Sequence, residues 1–106
     1  LYGEDGDDTL DGGAGADTYS GGAGIDTFVT SAGDGGTNLT DATTVTDFTA
    51  TTDIIGLDGL NYGDLSVSQG TGDYSSHTIV KSGTEFLLIL QNINAGDVTN
   101  ADFSAI

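Results

Sequence analysis

Three aspartates, Asp8, Asp17 and Asp26, recur at intervals of nine residues. Gly6, Gly15 and Gly24 stand two positions before them, Thr9, Thr18 and Thr27 follow, and a large apolar residue, Leu10, Tyr19 or Phe28, comes next. Carboxylates placed at the same point of successive turns stack above one another and repel within a Debye length of ~8 Å unless a cation lies between them. A hard cation with a large, oxygen-rich shell meets that need. Calcium takes six to eight oxygens, and glycine-rich turns aim backbone carbonyls inward to complete the set, whereas magnesium holds a tight octahedron and retains its waters. Metals that favour imidazole or thiolate find one histidine, His77, and no cysteine.

Other chemistry is weakly supported. Asp73, Ser75, Ser76 and His77 contain the letters of a hydrolytic triad, but neighbours in sequence do not form the spatial relay that a triad needs. No H-E-x-x-H helix, phosphate loop or EF-hand spacing is present. Asn38-Leu39-Thr40 is a glycosylation sequon by its letters alone. The expectation is therefore a protein that is not an enzyme. Asp41, Asp47 and Asp53 rank second as metal ligands, with ordinary turn carboxylates as the competing reading.

The elements that position the aspartates follow from the period. Nine residues fit neither a heptad nor an amphipathic helix, and each glycine costs a helix about 1 kcal/mol relative to alanine. A six-residue turn followed by a three-residue strand with its middle side chain inward suits the unit, and two units complete a coil. After Val29 the register decays through "TSAGDGGTNLTDA". "TTVTDF" and "DIIGL" then read as short strands, and "LSVSQ", "HTIVK" and "EFLLILQNI" as longer ones, with Ser82-Gly83 as a hairpin turn. A helical turn capped by Asn94 or Thr99 is expected in the tail. "EFLLILQNI" is read as a buried central strand in preference to an exposed, partner-seeking edge.

"GGAGADTYS" and "GGAGIDTFV" match G-G-x-G-x-D-x-U-x, where U is large and apolar, and "GEDGDDTLD" departs from it only at Glu4. The chain thus resembles the C-terminal calcium-binding region of secreted RTX proteins, which include serralysin-like proteases, lipases, haemolysins and adhesins. "VTDFTATTDIIGLDGL" and the closing "ADFSAI" are similar to segments that follow the repeats in that family, although Thr43 and Gly56 stand where aspartates are common. The resemblance implies an all-β fold: a short parallel β-roll over residues 1–35, followed by a small antiparallel β cap over 36–106, as one folding unit. It also implies Ca2+ ligands: the side chains of Asp8, Asp17 and Asp26, and backbone carbonyls such as those of Gly3, Asp5, Gly12, Ala14, Gly22 and Gly24. The turn of Asp8 should face that of Asp26. The turn of Asp17 should face Ser31 to Gly35 and draw on Asp34. Leu10 and Phe28 should share one layer, Leu1 and Tyr19 the other.

Composition agrees. The 106 residues carry a formal charge of −16 from seventeen acidic residues and one basic residue, Lys81. Such a chain repels itself unless a counter-ion intervenes, and it lacks the basic clusters that bind nucleic acid or an anionic membrane. No apolar run approaches the ~18 residues that span a bilayer. The partners expected are calcium ions, with upstream domains of a parent protein or further copies of the chain as additional candidates. The mid-repeat start at Leu1 suggests a fragment or processed product, and the resemblance implies a secreted, extracellular setting with a type I secretion signal at the C-terminus. Two other readings are a subunit or tip of an extracellular fibre or adhesin, and the tail of a secreted protease or lipase.

Overall fold

The computed structural model describes residues 1–106. Nine short strands form two layers: β1 (Thr9–Leu10), β2 (Thr18–Tyr19), β3 (Thr27–Ser31), β4 (Thr43–Val45), β5 (Ile54–Asp58), β6 (Leu65–Gln69), β7 (Thr78–Ser82), β8 (Glu85–Leu90) and β9 (Phe103–Ala105). One sheet runs β1-β3-β5-β9 and is parallel throughout. The other runs β2-β4-β8-β7-β6, parallel from β2 to β8 and antiparallel from β8 to β6.

The eighteen-residue coil is present where the repeat is strict. Thr9 pairs with Thr27 and Leu10 with Phe28, while an isolated bridge joins Tyr2 to Ser20 and so places Leu1 and Tyr19 in the second layer. Beyond Val29 the coil lengthens. Phe28 pairs with Ile55, a step of twenty-seven, and Tyr19 with Val45, a step of twenty-six. Both layers thus cross residue 35, and β4, β5, β8 and β9 extend the roll's own parallel ladders; the antiparallel part of the cap is the β6-β7-β8 sheet.

Apolar residues from both layers meet inside. Leu10, Phe28, Ile55 and Phe103 stack from one sheet, Tyr19, Val45 and Leu90 from the other, all buried. The Tyr19 and Phe28 rings lie 6.1 Å apart at 16°, an offset stack that joins the layers. A smaller cluster of Ala42, Ile79 and Ile89 covers the outer face of the second sheet. Lys81 lies over the Phe86 ring, 4.5 Å from its centre.

Three local expectations meet the structure differently. β8 is central, between β4 and β7. The hairpin turn is Gly83-Thr84 rather than Ser82-Gly83, because Ser82 pairs with Glu85; Gly83, at φ 59°, takes the first central position, as a type II′ turn requires. The tail holds two single 3₁₀ turns in place of one helical turn, Ala95–Asp97 after Asn94 and Asn100–Asp102 after Thr99.

Candidate metal centre

The turn of residues 21–26 sits directly on the turn of residues 3–8. The N–H of Asp8 donates to Oδ1 of Asp26 at 3.0 Å, and that of Ile25 donates to Oδ1 of Asp7 at 2.7 Å. Gly22 and Gly24 pack against the carbonyls of Glu4 and Gly6. Glu4, at φ 68°, occupies the left-handed region that glycines take in the equivalent places, so the departure from the repeat leaves the turn's path intact.

The pattern then continues up the column. The Asp26 N–H donates to Oδ1 of Asp53 at 3.0 Å, and the Thr51 N–H to Oδ1 of Asp102 at 2.8 Å. Each aspartate accepts an amide from the turn below. On the opposite side Thr43 takes that role: Asp17 N–H donates to its hydroxyl oxygen at 3.2 Å, and the hydroxyl lies 3.2 Å from the Gly15 carbonyl. The stretch around Asp34 does stack on the turn of Asp17, since Gly15 N–H donates to the Asp34 carbonyl at 2.9 Å.

One observation separates the carboxylates. Oδ2 of Asp8, of Asp17 and of Asp26 is buried and has no hydrogen-bond partner, and these are the only buried side-chain polar atoms in that condition. An unpaired buried carboxylate oxygen is costly, and a bound cation is one way to satisfy it. All three abut the first glycine of their own turn. A methyl group on Gly12 would stand 2.6 Å from Asp17 Oδ2, and one on Gly3 would stand 2.8 Å from Asp8 Oδ2 and 2.7 Å from the Gly21 carbonyl oxygen. Each cradle therefore combines a carboxylate with turn backbone, and no three histidine, cysteine or acidic side chains converge on one point. This donor set suits a hard cation that accepts carbonyl oxygens.

The second-ranked aspartates are engaged otherwise. Asp53 accepts from Asp26 N–H through Oδ1 and from Thr49 N–H through Oδ2 at 2.9 Å. Asp47 accepts from the amides of Gly21 and Gly22 and lies 3.3 Å from the Ser20 hydroxyl. Asp41 accepts from Asn38 N–H at 3.1 Å, and Asp34 Oδ2 from Ser31 N–H at 3.0 Å. These four hold turns in place. Asp5 and Ala14 lie at bends in the exposed tips of their turns.

Sequence reasoning missed Asp7 and Asp102. Asp102 Oδ2 also accepts from Thr99 N–H at 2.9 Å, and the signal was its place before a buried phenylalanine, like Asp26 one residue further from Phe28. His77 Nδ1 accepts from Asn92 N–H at 3.0 Å, so that nitrogen has no proton to donate to a carboxylate as a triad histidine would. A depression of about 280 Å³ on the outer face of the second sheet, between Leu39 and Tyr74, takes in His77 and the flank of Asp17.

Burial holds the Asp26 carboxyl above its ordinary value of 3.8, with the charges of Asp53, Asp8 and Asp47 adding to the rise and the Asp8 N–H opposing it. A carboxyl raised in the folded state favours folding below its unfolded pKa, and this contribution is lost as pH rises through the folded value. In chelator, then, the thermal midpoint should climb as pH falls from 7 toward 4, and Asp26→Asn should flatten that slope. A midpoint in chelator that falls steadily over this range would contradict the assignment.

Comparison with known proteins agrees with the repeat geometry. The family model described as RTX calcium-binding nonapeptide repeat (4 copies) matches residues 1–28. Among solved structures, the AlgE6R3 subunit of the mannuronan C5-epimerase from Azotobacter vinelandii is similar, with 28% identity and a TM-score of 0.64 over 97% of this chain. The chain spans 65% of that structure's length. No curated protein matches it.

Proposed function

We propose that this protein is a calcium-stabilised, non-enzymatic β-roll module of a secreted protein, a reading supported by the match of residues 1–28 to the model of RTX calcium-binding nonapeptide repeats. Bound calcium supplies positive charge and an oxygen-coordinating centre between stacked turns. One site draws on Asp8 and Asp26 with carbonyls from Gly3, Asp5, Gly22 and Gly24; another, on the opposite side, draws on Asp17 with carbonyls from Gly12 and Ala14. The carrying observation is the set of three buried, unpartnered Oδ2 atoms, which falls on the register aspartates and on no other side chain.

The consequence is conditional folding. Extracellular calcium modules bind at roughly 10⁻⁴ to 10⁻³ M, and at ten times Kd each site stabilises the fold by about 1.4 kcal/mol. Two such sites matter against a total stability of about 5–15 kcal/mol. In a calcium-poor cytoplasm the acidic chain is only marginally stable, and outside the cell bound calcium holds it closed. The roll and the β6-β7-β8 sheet act as one folding unit, since β4 and β8 carry the ladder from one to the other. A second reading, favoured by the likeness to AlgE6R3 over nearly the whole chain, makes the module one part of a larger secreted enzyme whose catalytic domain is separate.

Calorimetric titration with calcium tests the assignment. The parent should bind at least two ions, Asp8→Ala and Asp17→Ala should each lose a different one, and Asp41→Ala should lose neither. Equal stoichiometry in all four proteins would overturn the ligand set.

A further inference from the structure

The first amide of each turn shows where the Asp17 side differs from its counterpart. Gly3 N–H donates straight to the Ser20 carbonyl of the next coil at 2.8 Å. Nine residues on, the equivalent pair is Gly12 and Val29. No direct bond joins them. The Tyr19 hydroxyl stands between the two: Gly12 N–H donates to it at 2.6 Å, and it in turn donates to the Val29 carbonyl oxygen at 3.4 Å.

Only this repeat has the means. The equivalent inward side chains, Leu10 and Phe28, carry no hydroxyl. Tyr19 is 1% exposed, and its ring is fixed by the stack on Phe28. The ring also borders the cradle: a methyl group on Gly12 would stand 3.1 Å from a Tyr19 ring carbon and 2.6 Å from Asp17 Oδ2. The hydroxyl thus fixes the residue against which the unpartnered carboxylate oxygen rests.

We propose that Tyr19 is a positioning residue for the Asp17 calcium site, its hydroxyl splicing a ladder that would otherwise break where the repeats lose register. This rests on the assignment of calcium to Asp17. Substitution by phenylalanine keeps the stack and removes only the splice, leaving the Gly12 N–H in a partly buried place without its acceptor. An amide so orphaned weakens a site by about tenfold.

The test is calorimetric titration of the full chain with calcium, with Tyr19→Phe and Asp17→Ala beside the parent, and hydrogen exchange of the Gly12 amide by NMR. Tyr19→Phe should weaken the ion that Asp17→Ala abolishes by about tenfold, leave the other ion unchanged, and speed Gly12 exchange while Gly3 exchange stays constant. Parent affinity at both sites in Tyr19→Phe would overturn the positioning role, as would equal weakening of both, which would mark a general loss of packing. If Asp17→Ala itself loses no ion, the underlying site assignment fails first.

Discussion

Asp26→Asn should raise the thermal midpoint in chelator and lower it in calcium, so that the parent and variant curves cross as the ion is added. The amide oxygen of asparagine can still accept the Asp8 N–H that Oδ1 accepts now, so the turn stack survives. What changes is charge. Asp26 is fully buried, its pKa is raised by desolvation and by three neighbouring carboxylates, and its Oδ2 has no partner. Without a cation, removing that charge relieves the fold by about 1–3 kcal/mol. With calcium the same change removes a ligand and its attraction, and calcium affinity should fall by at least about a hundredfold, the scale of losing a charge-assisted contact of ~3 kcal/mol. A parallel loss of stability in both conditions would mean that Asp26 serves packing alone.

Gly21→Ala is expected to be strongly destabilising and to strike the proposed ligand directly. Gly21 is buried, and its added methyl would stand 2.7 Å from Asp26 Cγ and 2.9 Å from Asp26 Cβ, in contact also with Oδ2. Those atoms belong to a short side chain anchored by the Asp8 amide, so the turn must open. Overpacking of this kind costs about 1–3 kcal/mol, and here it also displaces the proposed ligand. Gly63→Ala is the matched control, since nothing lies within 4 Å of its methyl and its φ is not positive. Thermal melts in saturating calcium should show a large drop for Gly21→Ala and almost none for Gly63→Ala. Similar melts would show that the Gly21 approach is relaxed without consequence.

Much of this arrangement was legible in the sequence, for a physical reason. A strict nine-residue period leaves two units per coil as the natural closure, and it set the pairing of Leu10 with Phe28 and the stacking of the Asp8 and Asp26 turns before any coordinates. The calcium chemistry followed from charge and glycine spacing. The insertion around residues 31–42 was harder to read. It stretches the coil to twenty-seven residues, which returns Asp53 to the side of Asp26, although a count in nines from Asp26 would put it on the side of Asp17. The hydrogen bonds of Asp53, Asp47 and Asp41 were equally hidden, because a turn-capping carboxylate and one with a buried, unpartnered oxygen share one letter, and only the three-dimensional surroundings tell them apart. Thr43 stands where an aspartate is common, yet that its hydroxyl accepts the Asp17 amide depends on three-dimensional register. Tyr19 read as one more inward apolar residue, since nothing in its spacing reveals where a hydroxyl at the end of a stacked ring will reach.

The central claim is that calcium between stacked turns stabilises the fold of this acidic chain. The most direct measurement is circular dichroism with thermal melting of the 106-residue chain across a calcium titration, starting in chelator and repeated with magnesium. A cooperative gain of β signal and of melting temperature at about millimolar calcium, absent with magnesium, is the expected result. A chain equally folded and equally heat-resistant in chelator would contradict the claim, and the three buried oxygens would then need a partner other than a metal ion.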